Sequence, residues 1–181
     1  TSFEPYTERG SWYTLMLLDR LFFKGMSIIS LTWKDIPIVI INTHLLANFA
    51  GDWERHGMYA RVEAKQLRQL AETVQAQPMD SIVIVVGDFN IPRGSDLYRD
   101  FLVHSGLTDL LADDTRPTLR IPFGAAAQFS LAIDYILVRV PDKYRLKIDC
   151  DLCFSEKYAI SNKQQGYLSD HLGIEVRITK G

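Results

Sequence analysis

Cysteine, excess charge of one sign and long apolar runs are all scarce in this 181-residue chain. Cys150 and Cys153 are the only cysteines. Three positions apart in a stretch that alternates like a strand, they point to opposite faces and make a poor metal clip. They read as two small, partly buried residues, and nothing about them requires an oxidising compartment. No apolar run approaches the roughly 20 residues that span a bilayer, so no membrane-crossing helix is expected. The chain begins at Thr1 without an initiator Met, so the lack of a leader says little and no compartment is assigned. Lys and Arg number 20 against 22 Asp and Glu, for a formal net charge of -2. A protein that grips nucleic acid through its phosphates usually carries a basic face. The balance therefore disfavours a tight nucleic-acid binder, although a metal ion in a site adds positive charge that this sum omits.

What is present suits one compact domain: 47% of residues are hydrophobic, enough for a sizeable core. Leu15 to Leu18 and Leu21 to Trp33 read as two strands joined near Asp19-Arg20. Thr1 to Ser11 reads as loop. Ile38 to Thr43, opened by Pro37 and closed by His44, and Ile82 to Val86, closed by Gly87, are short β-branched runs of the kind buried on both faces of a sheet. Between them lie a polar and aromatic loop, Ala47 to Gly57, and an amphipathic helix. Tyr59, Val62, Leu67, Leu70, Ala71 and Val74 set that helix, which ends before Pro78. Ser95 or Asp96 caps a short helix through His104 that Gly106 terminates. Ala132 to Val138 is a strand, broken by Pro141-Asp142, with alternating Leu146 to Phe154 as its antiparallel neighbour and Ile174 to Ile178 as the last strand. This order describes a layered α/β domain in which two helices cover one side of the sheet system.

Chemistry-bearing residues cluster at strand ends: His44, Asp88 with Asn90, Asp134, and Asp170 with His171. Such positions emerge together at a sheet edge, where α/β proteins build sites. Asp88 and Asn90, two apart, face the same way if extended, so a carboxylate that orients or deprotonates water converges with an amide that donates to a phosphoryl oxygen. Gly-Asp-Phe-Asn is equally good turn chemistry. Asp170-His171 combines a metal ligand with a proton-transfer group, and a hard cation such as Mg²⁺ suits so sparse a ligand set better than zinc does. Asp134, inside an apolar strand, needs a partner or a proton, and an imidazole whose tautomer it fixes is an apt one. His44 either donates to a phosphate oxygen or is a satisfied core histidine. His56 and His104 read as structural or surface residues.

Four motifs in one order, Ile41-Asn42-Thr43-His44-Leu45, Gly87-Asp88-Phe89-Asn90 followed by Pro92 and Ser95, Ile133-Asp134-Tyr135-Ile136, and Ser169-Asp170-His171, resemble the endonuclease/exonuclease/phosphatase superfamily with the deoxyribonuclease-I-like fold. Each motif alone is weak; all four together are specific. The resemblance implies a four-layer α/β sandwich, two sheets face to face with helices outside. It also implies Mg²⁺-dependent hydrolysis of a phosphate ester by in-line attack of water, with Mn²⁺ as the substitute ion. Carried over position by position, His171 resembles the general base or the group stabilising the transition state, and Asp134 the acid that orients it. Asp88 resembles the group positioning water, Asn90 a phosphate ligand that also touches the metal's water shell, Asp170 a metal-side carboxylate, and His44 the histidine on the scissile phosphate. The metal set implied is thus Asp170, Asp88 and Asn90.

The family pattern also has an N-terminal Asn and a metal-binding Glu, and neither is found; Glu4 and Glu8 lie in the loop-like start. The chain therefore resembles about the C-terminal two-thirds of one domain. On that reading it is inactive or weak alone, and its exposed apolar sheet favours self-association. Phe23-Lys24-Gly25-Met26 and Asn42 to Leu45 look most like the sphingomyelinase-like or unassigned bacterial-type branch. The leading expectation is a phosphodiesterase or phosphatase of lipid or small-molecule esters. A DNA or RNA nuclease is the first alternative and a non-catalytic binding module the second. Trp53, just beyond His44, is expected either to stack on a base, choline-like cation or lipid, or to anchor its loop.

Overall fold

The apolar runs that end in His44 and Gly87 lie side by side at the centre of a six-stranded sheet. The structure, a computed structural model, describes residues 1–10, 23–54, 56–120, 130–161 and 164–180. Its elements are β1 (Ser2–Pro5), β2 (Gly25–Trp33), β3 (Ile36–His44), α1 (Met58–Gln75), β4 (Ile82–Asp88), α2 (Asp96–Ser105), β5 (Thr108–Asp109), β6 (Asp134–Arg139), β7 (Leu146–Cys153), β8 (Tyr158–Ser161), β9 (Gln164–Gly166) and β10 (Gly173–Lys180). The main sheet runs β1-β2-β3-β4-β6-β5. Among the described strands only β3 and β4 pair in parallel, with α1 as the crossover a parallel pair requires.

Period-two alternation sends β3 and β4 side chains to both faces. Val39, Ile41, Val83, Val85 and Leu137 point one way and join Leu67, Leu70 and Val74 of α1 and Leu97 and Phe101 of α2 in the main core. On the other face Ile36, Ile38 and Ile82 are buried with Trp33, Tyr144 and Leu146 around them. Both helices thus lie on one face, as their patterns require. Ser95 caps α2 by accepting the Tyr98 N–H, and Gly106 closes it in a left-handed conformation.

Three expectations are corrected. The strand from Leu146 does not neighbour β6: it pairs antiparallel with β10 in a separate two-stranded sheet, while β6 lies between β4 and β5. Period-two alternation marked β7 as a half-covered strand but carried no information on which partner it takes. The start is not all loop, because Ser2 to Pro5 adds β1 to the outer edge of β2; Glu4 turns to α1, where Gln69 and Thr73 donate to its carboxylate. The strand expected from Ala132 begins at Asp134, since the Ala132 carbonyl is taken up by the Arg93 N–H instead of the ladder. Of the two expected early strands, Leu15 to Leu18 and the first residues of Leu21 to Trp33 lie outside the described residues, and β2 supplies the rest. Cys150 and Cys153 are free, half-buried and both on β7.

Candidate active site

Register places the candidate residues in one row. His44 is the Cα partner of Asp88 across the parallel pair, and Asp88 is the partner of Asp134 across the antiparallel one. Adjacent strands lie about 4.8 Å apart, so three residues from distant sequence share one sheet edge. Gly87 makes the approach feasible. Its φ is +136°, and a Cβ there would overlap the Thr43 carbonyl oxygen.

The turn after β4 aims Asp88 and Asn90. Phe89 is buried against Phe101 and Tyr135, with ring centroids 5.7 and 4.9 Å away, so its neighbours face outward. The Asn90 N–H donates to Asp88 Oδ1 at 2.8 Å, and Asn90 adopts φ +53°, a conformation asparagine tolerates. The turn reading and the site reading of Gly87 to Asn90 therefore hold together. The Asn90 amide donates to the Leu45 carbonyl at 3.2 Å, and Lys24 Nζ donates to the same oxygen at 2.6 Å. Trp53 donates its indole N–H to the Asn90 carbonyl at 2.9 Å and packs against the core. That is the anchoring role, placed directly beside the site.

His171 arrives from the entrance to β10. Its segment is stitched onto residues 118–120: Leu119 forms an isolated bridge with His171, the Arg120 N–H donates to the Asp170 carbonyl at 2.8 Å, and the Leu172 N–H donates to the Thr118 carbonyl at 2.7 Å. His171 Nδ1 then lies 2.9 Å from Asp134 Oδ2. Among the described residues, Asp88, Asp134 and His171 each offer one ligand-type atom, all within 4.8 Å of one another. The hydrogen bond commits His171 Nδ1 to Asp134, so these two form a dyad on which the Asp88 carboxylate converges.

Electrostatics agree with that division. Burial, then the neighbouring charge of Asp134, pushes the Asp88 carboxyl up to about 6, against the Asn90 N–H and the positive charges of His171 and Lys24. Burial alone would lower the His171 pKa, but the hydrogen bond and charge of Asp134, with Asp88 and Asp170 behind, raise it on balance. His44 has a side chain 60% exposed, with Nε2 3.6 Å from Asp88 Oδ2, so it is no core histidine. Asp170 is exposed; its charge reaches His171, but its carboxylate is not among the converging three. His56 and His104 are exposed and apart from the site, as expected; His104 Nδ1 sits on the Asp100 carbonyl.

Two residues went unseen in the sequence. Thr118, fully buried, accepts the N–H groups of Ile133 and Asp134 through its hydroxyl, at 3.0 Å each. Arg93 forms a buried ion pair with Asp109 at 2.7 Å and stacks over Tyr135, behind Asp134. Neither has a local signal, because both act through contacts distant in sequence.

The family model described as endonuclease/exonuclease/phosphatase family matches residues 6–171. Similar solved structures include Danio rerio TDP2 complexed with single strand DNA product, at 18% identity and TM-score 0.68 over 99% of this chain and 66% of that one. Sphingomyelinase C from Streptomyces griseocarneus is similar at 21% identity and TM-score 0.63, over 85% of this chain and 57% of that one. Beta toxin from Staphylococcus aureus with bound magnesium ions, an F277A, P278A mutant, follows at 19% and 0.61, over 85% and 57%. This chain spans less than two thirds of each of these relatives. At such identities the likeness shows the fold, which is deoxyribonuclease-I-like. A search of curated protein sequences finds no match.

Proposed function

The chain belongs to the endonuclease/exonuclease/phosphatase family, and from that premise we propose that it carries the proton-transfer and phosphate-handling part of a divalent-metal-dependent phosphoesterase. The observation that carries the reading is the Asp134–His171 hydrogen bond of 2.9 Å, with the Asp88 carboxylate converging on it. Asp134 fixes the His171 tautomer and stabilises its charged form, leaving Nε2 as the nitrogen that accepts the proton of an attacking water. Asp88 holds that water in line with phosphorus. Asn90 and His44 face the phosphoryl oxygens, and the ester oxygen leaves opposite the entering water.

Asp88 and Asn90 fit a hard cation. They are oxygen donors only, and Asp88 is buried beside the like charge of Asp134, an excess of negative charge that a cation offsets. Mg²⁺ is the ion of choice, with Mn²⁺ as the substitute; bound there it would supply Lewis-acid charge at the phosphoryl oxygens. The exposed Asp170 carboxylate joins this set by virtue of the family motif.

The substrate reading is a phosphodiester or monoester of a lipid or small molecule, supported by the sphingomyelinase relative and by the absence of a net basic charge. A nuclease is the second reading, favoured by the TDP2 relative with its single strand DNA product. The test is a panel of sphingomyelin, abasic DNA, single-stranded DNA and inositol phosphates with Mg²⁺. Hydrolysis of one class, abolished in His171→Ala, supports the reading. Binding without turnover of every class would make the protein a binding module.

A further inference from the structure

A cavity of about 270 Å³ opens directly beside the candidate site, walled by Phe49, Trp53, Asn90, Leu119, Leu131 and Ile133. Its walls are continuous with the reactive residues. Asn90 follows Asp88 by two positions, Ile133 precedes Asp134, and Leu119 is bridged to His171. A phosphate held at the site therefore has its substituent at the cavity mouth.

None of the described residues lining the cavity is charged. Of its two polar side chains, the Asn48 amide N–H groups donate to the Asp52 carbonyl and to Glu63, and the Asn90 amide donates one N–H to the Leu45 carbonyl and has a second for the phosphate. The Trp53 indole N–H is likewise spent on the Asn90 carbonyl, which leaves its ring as an apolar wall. Phe49, 63% exposed, stands at the rim. An apolar cavity of about 150 Å³ suffices for benzene, so this one takes a larger ring or a branched chain.

Resting on the phosphoesterase reading above, we infer that this cavity is a specificity subsite for an uncharged aromatic or alkyl group carried on the substrate's phosphate. The group enters between Trp53 and Leu131 while the phosphate sits at His44 and Asn90. The driving force is removal of apolar surface from water, so it scales with the size of the group and is insensitive to salt.

The test is calorimetric titration of the full-length protein, with Mg²⁺, against inorganic phosphate, methylphosphonate and phenylphosphonate. Phenylphosphonate should bind about tenfold or more tightly than methylphosphonate, the advantage expected of one buried ring. Ala47→Leu, which intrudes from the cavity wall, and Leu131→Asn, which makes it polar, should each remove most of that advantage. The ratio is read between two ligands within one protein, so a partly destabilised variant still reports. Equal affinity for the two phosphonates would overturn the subsite while leaving the phosphoesterase reading intact. An unchanged ratio in both variants would do the same. Failure of all three ligands to bind would overturn both.

Discussion

The Thr118 hydroxyl and the Asp134 backbone N–H are joined by a 3.0 Å hydrogen bond, while the Thr118 carbonyl holds Leu172, the residue after His171. One fully buried threonine thus positions both members of the dyad. Thr118→Val keeps the shape but strips the buried Ile133 N–H and the part-buried Asp134 N–H of their acceptor. We expect a loss of about 1–3 kcal/mol of stability, read from the denaturant midpoint. We also expect a fall in kcat that exceeds any rise in KM, because the dyad loses its alignment and the phosphate contacts do not.

Gly87 is the second fixed point. Gly87→Ala places a methyl group on the Thr43 carbonyl at a φ that L-residues rarely adopt. The β3–β4 pair must open at the level where His44 meets Asp88. The expected cost is roughly 3 kcal/mol or more, checked by thermal unfolding.

Glu63 gives a pH signature away from the chemistry. Burial pushes its carboxyl from the ordinary 4.5 to about 8, against the hydrogen bond from Asn48. The folded protein therefore keeps a proton that the unfolded chain releases across that window. Stability from this group is full below about 4.5 and is lost as pH rises toward about 8. Glu63→Gln keeps the hydrogen bond geometry without an ionisable group. It should flatten the stability–pH curve across that window and raise the unfolding midpoint near its upper end, by roughly 1–3 kcal/mol. Urea titrations at several pH values check this; an unchanged slope would mean that Glu63 is already ionised in the fold.

A cation bound at Asp88 would offset the like charge of Asp134. Adding Mg²⁺ or Mn²⁺ to chelator-treated protein should raise Tm, and Asp88→Asn should erase that rise. A Tm shift equal in wild type and variant would place the ion elsewhere.

Much of this architecture was legible in the chain. The β-branched runs ending in His44 and Gly87 read as strands buried on both faces, and the helical spacing from Tyr59 to Val74 as an amphipathic helix; the structure has both. Those two facts bring His44 and Asp88 to one edge. Asp134 in an apolar run demanded a partner, and His171 is that partner. Pairing was not legible. β7 and β10 alternate alike, and alternation says which face is covered but nothing about which strand lies alongside. Thr118 and Arg93 were invisible for the same reason, since their roles exist only once residues far apart in sequence meet. Asp170 shows the limit of motif reading: adjacent to His171 in sequence, it stands exposed beside the converging groups.

The most direct test of the account is the turnover of Asp134→Asn on bis-p-nitrophenyl phosphate with Mg²⁺. With Asp134 orienting His171, kcat should fall by about 10²- to 10⁴-fold while the fold and phosphonate binding persist. Turnover equal to wild type would show that the Asp134–His171 hydrogen bond is structural and that the proton is handled elsewhere.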